Sequence, residues 1–260
     1  MFYASHAMRV TRAAVLVLLI MGVVGLLGQR YTRPRTIVSI TFDDGYADQW
    51  AGQSILRLHG MRGTFYIISG RVGQPGYMTW EQLTALRDQG SEVGGHTITH
   101  PNLKTLQGYA LRHEICDGRV ALMSHGFSVT SFAYTYGNFD RTTEQVVAEC
   151  GFNSGRSVNG RLESIPPAQP YNLRAWDAVQ TTTTLTDLRG YVKQAERAGG
   201  GWVDLIFHHV CTGCDPYSIT PKDFSAFLDW LRQREPDGTV VRTVGEVMGG
   251  EVQPAIGAKK

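Results

Sequence analysis

Two adjacent carboxylates at the end of an apolar run are the first residues in this chain whose types suggest chemistry. Asp43 and Asp44 follow the mostly apolar stretch Ile37–Ile40 and precede Gly45. The stretch favours a strand and the glycine permits a sharp turn, so both carboxylates should lie at the rim of a core. Two like charges there are costly unless a cation or a proton intervenes. An ordinary Asp-Gly turn is the alternative interpretation.

Two histidines further along the chain favour a metal site. His96 and His100 follow a pair of glycines, and their four-residue spacing predicts that both imidazoles lie on one face of a helical turn. With one Asp they form a set of two imidazoles and a carboxylate with open positions, which suits catalytic zinc or a similar divalent cation. For the histidine pair alone, solvated or capping residues are the alternative.

A later polar cluster ends another apolar run. His208 and His209 close the stretch that begins at Asp204. Neighbours in a strand face opposite ways, so only one of the two histidines can point into a site. Asp204 and Ile206 share the face of His208, with Asp204 deeper.

Alternating strand and helix patterns must position these residues. The predicted strands are Thr36–Phe42, Gly63–Ile68, Glu92–His96, Ser128–Tyr134, Phe152–Arg156, Asn172–Trp176, Trp202–His208 and Val240–Val244. The predicted helices are Ala47–His59, Trp80–Gln89, Leu106–His125, Thr142–Glu149, Leu185–Ala198 and Pro221–Arg234. Repeated strand–helix units imply parallel strands and predict an α/β barrel of TIM type, with a doubly wound open sheet as the alternative. All the polar clusters fall at carboxyl ends of predicted strands, where such barrels carry their catalytic groups.

The charge distribution separates the beginning of the chain from the rest. Five of the 25 basic residues and none of the acids lie within residues 1–35. The remainder, with 20 basic and 23 acidic residues, has no basic stripe, which argues against nucleic-acid binding. Arg9 and Arg12 precede the apolar segment Ala13–Gly28, as in a secretory signal. That segment is shorter than the ~20 residues that span a bilayer comfortably, but no clear cleavage site follows, so an uncleaved signal-anchor stays open.

Export makes disulfides the preferred interpretation of the four cysteines. Cys211 and Cys214 are close enough in sequence to pair, which would leave Cys116 and Cys150 for a second bridge. A zinc site of four cysteines is the alternative, since Cys-x-x-Cys is also a zinc half-site.

The stretch Thr41–Gly45, followed by His96-Thr-x-x-His100, resembles the first two motifs of the polysaccharide deacetylases, the NodB-homology group named carbohydrate esterase family 4. The resemblance covers about residues 36–248 and implies a distorted (β/α) barrel that removes acetyl groups from sugars with a metal ion. It divides the chain into a signal peptide or signal-anchor (1–28), a linker (29–35), a catalytic domain (36–250) and a tail (251–260).

The resemblance also implies roles for individual residues. Asp44, His96 and His100 would hold the metal, Asp43 would be the general base, and His208 the general acid. Ser131–Gly137 is similar to the third motif, in which the residue matching Tyr136 donates a backbone N–H to the oxyanion.

Two positions of the third motif depart from the family pattern. Ala133 stands where an Arg that pairs with the base is usual, and Thr135 replaces a Pro. We hypothesise that Arg174, near another predicted strand end, supplies the missing guanidinium; an ordinary surface ion pair is the alternative.

The sequence therefore predicts an extracellular or membrane-anchored, metal-dependent N-deacetylase. Its substrate would be a polymer of N-acetylhexosamine: chitin oligomers, peptidoglycan or poly-N-acetylglucosamine. An O-acetyl esterase acting on xylan and a noncatalytic carbohydrate-binding protein are the alternatives. Zinc fits the ligand set, as do cobalt and nickel. Membrane contact would run through an uncleaved N-terminal segment, and the oligomeric state stays open.

Overall fold

The computed structural model describes residues 35–158 and 160–259. The strands in these ranges are β1 Thr36–Phe42, β2 Thr64–Ile67, β3 Glu92–Gly95, β4 Ser131–Ala133, β5 Ser154–Arg156, β6 Gly201–Phe207, β7 His209–Val210, β8 Ser218–Ile219 and β9 Thr239–Val241. Seven of them form a parallel sheet in the hydrogen-bonded order β5-β4-β3-β2-β1-β6, and β9 also pairs with β1. A separate pair, β7 and β8, stands at the rim.

Helices follow most of the strands and cover the outer face of the sheet. They are α1 Gln49–Leu58, α2 Trp80–Asp88, α3 Gly108–Arg112, α4 Gly118–Ser124, α5 Arg141–Glu149, α6 Leu185–Arg197, α7 Pro221–Arg232 and α8 Val244–Met248. A π-helical turn, His113–Asp117, joins α3 to α4. Helix α7 begins as its sequence predicts, since Thr220 accepts the N–H of Asp223 and Pro221 occupies the first turn.

Successive side chains along the strands point alternately to the outer and the inner side of the curled sheet, and both sides are buried. Val38, Ile40 and Phe42 of β1 pack outward into the large apolar core beneath the helices. The intervening Ser39 and Thr41 point to the inner side of the curled sheet, where both are buried. The inner side therefore holds polar groups as well as a small apolar cluster that includes Trp202.

An extended segment occupies the gap between the edge strands β5 and β6. Leu173 forms a parallel bridge with Arg156 of β5. On the other side, Trp176 and Val179 donate backbone N–H groups to the carbonyls of Asp204 and Ile206 in β6. These bonds close the curled sheet, so the predicted distorted (β/α) barrel is confirmed. The predicted strand Asn172–Trp176 is wrong in detail, because it contributes a bridge rather than a ladder.

The described residues also show how the four cysteines pair. Cys116 pairs with Cys150 and Cys211 with Cys214, so disulfides replace the four-cysteine zinc alternative. The predicted signal or anchor segment lies outside the described residues. Within the described ranges, none of the helices combines the length and apolarity that crossing a bilayer requires.

Candidate active site

The two carboxylates of the first motif lie where β1 meets β6. Phe42 and Phe207 are in register, and the N–H of Asp43 donates to the carbonyl of Phe207 at 3.0 Å. The buried Gln49, in α1, donates its amide to the carbonyls of both Asp43 and His208. One side chain thus ties the two strand ends together and places His208 beside the carboxylate pair.

The predicted metal ligands converge on one point. Ligand atoms of Asp44, His96 and His100 all lie within 4.8 Å of one another. The Nε2 atoms of His96 and His100 lie 3.4 Å and 3.3 Å from the same Asp44 oxygen, Oδ1. That buried oxygen has no hydrogen-bond partner in the described part of the chain. An unpartnered carboxylate oxygen facing two imidazole nitrogens fits a divalent cation well.

A backbone carbonyl selects the tautomer of His96. Its Nδ1 lies 2.8 Å from the carbonyl of Ala133, and because a carbonyl only accepts, Nδ1 carries the hydrogen. In the neutral ring, Nε2 then presents its lone pair towards Asp44. Metal-ligating histidines are commonly oriented in this way by their other nitrogen.

The two histidines lie on a loop after β3, and the predicted helical turn is wrong. Thr97 and His100 have φ of 68° and 66°, which no right-handed helical turn contains. Glu114, in the π-helical turn, holds the loop: its carboxylate accepts the N–H groups of Ile98 and Thr99 at 2.9 Å each, and the Thr99 hydroxyl at 2.8 Å. Both imidazoles are therefore aimed by contacts distant in sequence.

Strained backbone is concentrated at this site. Among the described residues, the non-glycine residues with positive φ are Asp44, Thr97, His100 and Tyr136. Non-glycine residues rarely adopt this conformation, and such strain commonly gathers at functional sites. Three of the four residues are ones that the sequence had singled out.

The guanidinium that contacts Asp43 belongs to Arg156, not to Arg174 as predicted. Arg156 ends β5, is fully buried, and donates Nη2 to Oδ1 of Asp43. Arg174 is exposed, and its backbone N–H contacts Glu163. The rule applied to the other clusters, that site residues follow strand ends, also indicates Arg156, because it closes the predicted strand Phe152–Arg156.

Neighbouring charges decide the ionisation of the carboxylates. Burial by itself raises the pKa of Asp43, but the charge of Arg156, with His96 and His208, outweighs it and holds that pKa below its usual value. Burial by itself would raise the pKa of Asp44, but its charge interactions with His96, His208 and His100 outweigh burial and lower that pKa. Burial and the neighbouring His96 lower the pKa of His100 to about 4. The site therefore favours ionised carboxylates at neutral pH.

A cavity of about 650 Å³ opens over these groups. His208 lines it, with Nε2 3.9 Å from Asp44 Oδ2. Tyr136 also lines it, 65% exposed, with its ring edge-to-face on His100 at 4.6 Å. His209 also lines the cavity, where it stacks on Tyr46 and contacts Asp48 through Nδ1 at 3.0 Å. The cavity wall also includes Tyr77 and Tyr217.

Comparison with known proteins agrees with this geometry. The sequence model of the polysaccharide deacetylase family matches residues 30–155. This part of the chain belongs to the polysaccharide deacetylase family. The deacetylase motifs Asp43-Asp44 and His96–His100 both fall inside the matched residues. YxkH of Bacillus subtilis is 29% identical over 121 residues, which are 45% of this chain and 43% of that protein. The match therefore spans less than half the length of this relative.

Solved structures show the same deacetylase fold over most of the chain. A peptidoglycan N-acetylglucosamine deacetylase, Bc1960, gives a TM-score of 0.59 at 16% identity, covering 84% of this chain and 90% of that one. A family 4 carbohydrate esterase from Streptomyces lividans, solved with acetate, gives 0.55 at 22% identity, covering 79% and 91%. At these identities the likeness establishes the fold.

Proposed function

We propose that this protein is a metal-dependent hydrolase that removes N-acetyl groups from a polysaccharide containing N-acetylhexosamine. The observation that carries the proposal is the convergence of Asp44, His96 and His100 on one point beside a buried Asp43 that is paired with Arg156. A binding protein does not need an ionised carboxylate held next to a three-ligand cation site.

The proposed ligands are Asp44, His96 and His100. Two imidazoles and one carboxylate suit zinc, with cobalt or nickel as alternatives. When bound, the cation would lower the pKa of water and polarise the acetyl carbonyl.

Proton transfer falls to two residues beside the cation site, Asp43 and His208. Asp43 is kept ionised by Arg156, so it can accept a proton from the attacking water. His208, in the same cavity, would return a proton to the leaving nitrogen, which departs as an amine while acetate forms. Tyr136 would offer its backbone N–H to the developing oxyanion.

The cavity is consistent with a sugar substrate. Its volume of about 650 Å³ lies in the range of small-molecule sites, and its wall carries Tyr46, Tyr77 and Tyr217. Such rings offer apolar faces to a sugar and hydroxyls to its polar groups. Trp202, by contrast, is a core residue that donates Nε1 to Ser39. We place the action of the protein outside the cytoplasm, where such polymers occur and where both disulfides would persist.

The departures at Ala133 and Thr135 favour a noncatalytic protein. Against the first of them, Arg156 brings a guanidinium to Asp43 from another strand. Bc1960, by its name, acts on peptidoglycan N-acetylglucosamine, so an amide substrate is compatible with this fold.

Acetate release from a panel of acetylated glycans tests the proposal. Purified protein would be assayed on chitin oligomers, peptidoglycan, poly-N-acetylglucosamine and acetylxylan, with zinc and after chelator treatment. We expect release from at least one N-acetylated glycan, loss of release with chelator, and recovery on adding zinc. Release from acetylxylan alone would identify an esterase. Stoichiometric zinc binding without release from any glycan would identify a binding protein.

A further inference from the structure

A loop at the rim of the cavity is closed on itself by a disulfide. This rim loop, residues 211–217, joins β7 to β8, and Cys211 pairs in it with Cys214. Backbone hydrogen bonds hold both of its ends. The N–H of Cys211 donates to the carbonyl of Ile219 at 3.0 Å, and the carbonyl of Tyr217 accepts the N–H of His209 at 3.2 Å. The rim loop therefore leaves and re-enters the fold at fixed points.

Between those ends the disulfide takes the place of hydrogen bonds. Within the described residues, Thr212, Gly213 and Cys214 make no backbone hydrogen bond to the rest of the fold. Cys214 is instead bonded to Cys211, and its Sγ lies 3.7 Å from Oδ2 of Asp48, which directly precedes α1. Without the bridge, this part of the rim loop would lose its covalent tie to β7.

The rim loop carries an exposed ring to the proposed general acid. Tyr217 is 46% exposed and lines the cavity, and its ring lies 5.5 Å from the ring of His208. The N–H of Tyr217 donates to the carboxylate of Asp215 at 2.7 Å, and Asp215 also lines the cavity. Between these two residues, the carbonyl of Pro216 accepts the N–H of Thr181 at 2.8 Å. The position of the Tyr217 ring thus depends on the course of the rim loop.

The two disulfides of the protein differ in reach and in exposure. Cys116 and Cys150 are fully buried and lie 34 positions apart. Cys211 and Cys214 lie three positions apart, and Cys214 is exposed. In the chain-entropy account, a bridge that closes so short a loop stabilises the whole fold less than a bridge that closes a long one. The main effect of the Cys211–Cys214 bridge is therefore local.

We propose that the Cys211–Cys214 bridge is a clip that positions Tyr217, and that through this ring it sets the affinity of the cavity for the glycan. With the bridge closed, the Tyr217 ring offers its face to a sugar in the cavity. With the bridge open, the rim loop has more conformations, and ordering it on binding costs entropy. The effect on affinity rests on the proposed function, whereas the clip is a property of the fold.

Steady-state kinetics of the zinc-loaded protein test the effect on affinity, with the N-acetylated glycan that releases acetate fastest. The variants are the bridge variant, Cys211→Ser with Cys214→Ser, then Tyr217→Ala, and the combination of all three substitutions. We expect the bridge variant and Tyr217→Ala each to raise KM about 3- to 10-fold with kcat within about twofold, because both remove ground-state binding. In the Tyr217→Ala background, opening the bridge should change KM by less than about twofold, because the ring that it positions is gone.

A matched control is available on α3. Tyr109 is 43% exposed, and its ring stacks on His113 at 5.7 Å, but it does not line the cavity. Tyr109→Ala should leave KM within about twofold of the value for the unsubstituted protein. Zinc stoichiometry, measured for every variant, should stay unchanged, because none of the substitutions touches a proposed ligand.

Hydrogen exchange tests the clip without reference to activity. The N–H groups of His209 and Thr181 donate to the carbonyls of Tyr217 and Pro216, so they report on the rim loop. In the bridge variant their exchange should quicken roughly tenfold, while the amides of β1 keep their rates. Unchanged exchange at His209 and Thr181 would overturn the clip, whether or not the protein releases acetate.

The two measurements separate the clip from the proposed function. Faster exchange with an unchanged KM in the bridge variant would overturn the role of the clip in affinity. Independent rises in KM from the open bridge and from Tyr217→Ala would overturn the claim that the bridge acts through Tyr217. If the unsubstituted protein releases no acetate from any glycan, the proposed function fails, and the clip is judged from hydrogen exchange alone.

Discussion

The two faces of strand β1 differ in chemistry although they alternate along one stretch of seven residues. Val38, Ile40 and Phe42 enter an apolar core, in which the Phe42 ring stacks on Phe65 at 4.6 Å. On the inner face, Thr41 contacts a buried Asp204, and Asp43 follows the strand to meet a buried Arg156. The outer face stabilises the barrel by excluding water, whereas the inner face holds charges that are costly to bury. The comparison predicts that inner substitutions reduce activity and outer ones reduce stability.

The largest effect is expected at the inner end of β1. Asp43→Asn keeps the shape and an acceptor for Arg156 but removes the proposed base, so kcat/KM should fall about 10²- to 10⁴-fold. Acetate release measures the loss, and zinc titration checks that Asp44, His96 and His100 still bind the ion. If Asp43→Asn kept full activity, Asp43 would not be the base, and the inner face of β1 would not differ from the outer face in its effect on activity.

The outer face is tested at Phe224, whose ring meets Phe42 and Phe207 edge-on at 5.8 Å and 5.2 Å. Phe224→Ala should lower the free energy of unfolding by about 3–5 kcal/mol, because it removes a fully buried ring and leaves a cavity. Urea unfolding measures this change. In conditions where the variant is folded, kcat should match that of the unsubstituted protein. A fall in kcat without a loss of stability would contradict the claim that outer-face substitutions affect stability alone.

Glu114 tests how the site depends on contacts beyond the sheet. Glu114→Ala removes the carboxylate that accepts the N–H groups of Ile98 and Thr99, which releases the histidine loop. The dissociation constant for zinc should rise about 10- to 100-fold, which is typical when a residue that orients the metal ligands is removed. Competition with a chromogenic chelator measures it. Glu149→Ala is the matched control on the exposed surface of α5, and equal zinc affinity in both variants would contradict this role of Glu114.

The smallest effect concerns pH and stability. Burial raises the pKa of Asp204 to about 7, against about 3.9 in an unfolded chain. Between these pH values Asp204 keeps a proton in the folded state that it loses in the unfolded state, so this carboxyl contributes a decrease in the free energy of unfolding as pH rises, by at most about 1.4 kcal/mol per unit. Asp204→Asn should flatten that slope in urea unfolding from pH 4.5 to 7.5. Part of the slope should persist, because burial also raises the pKa of Glu92. An unchanged slope would mean that Asp204 is ionised throughout.

Much of the fold was predictable because strand and helix patterns are local. Seven of the eight predicted strands overlap β1–β6 and β9. Asn172–Trp176 differs because its hydrogen bonds go to two different edge strands, so it forms no continuous ladder. The rim pair β7 and β8 was not predicted, since two-residue strands leave no pattern in a sequence.

By itself, the sequence determined which residues stand at the ends of strands, and with them Asp43, Asp44, His96, His100 and His208. Strand periodicity and the order of parallel units are enough for that. Only the tertiary structure decided that Arg156 contacts Asp43, across 113 positions of chain, and that Glu114 aims the histidine loop. Partner choice between buried charges depends on which side chains the curled sheet brings within a few ångströms. The sequence around each residue does not show which distant side chains the fold brings this close.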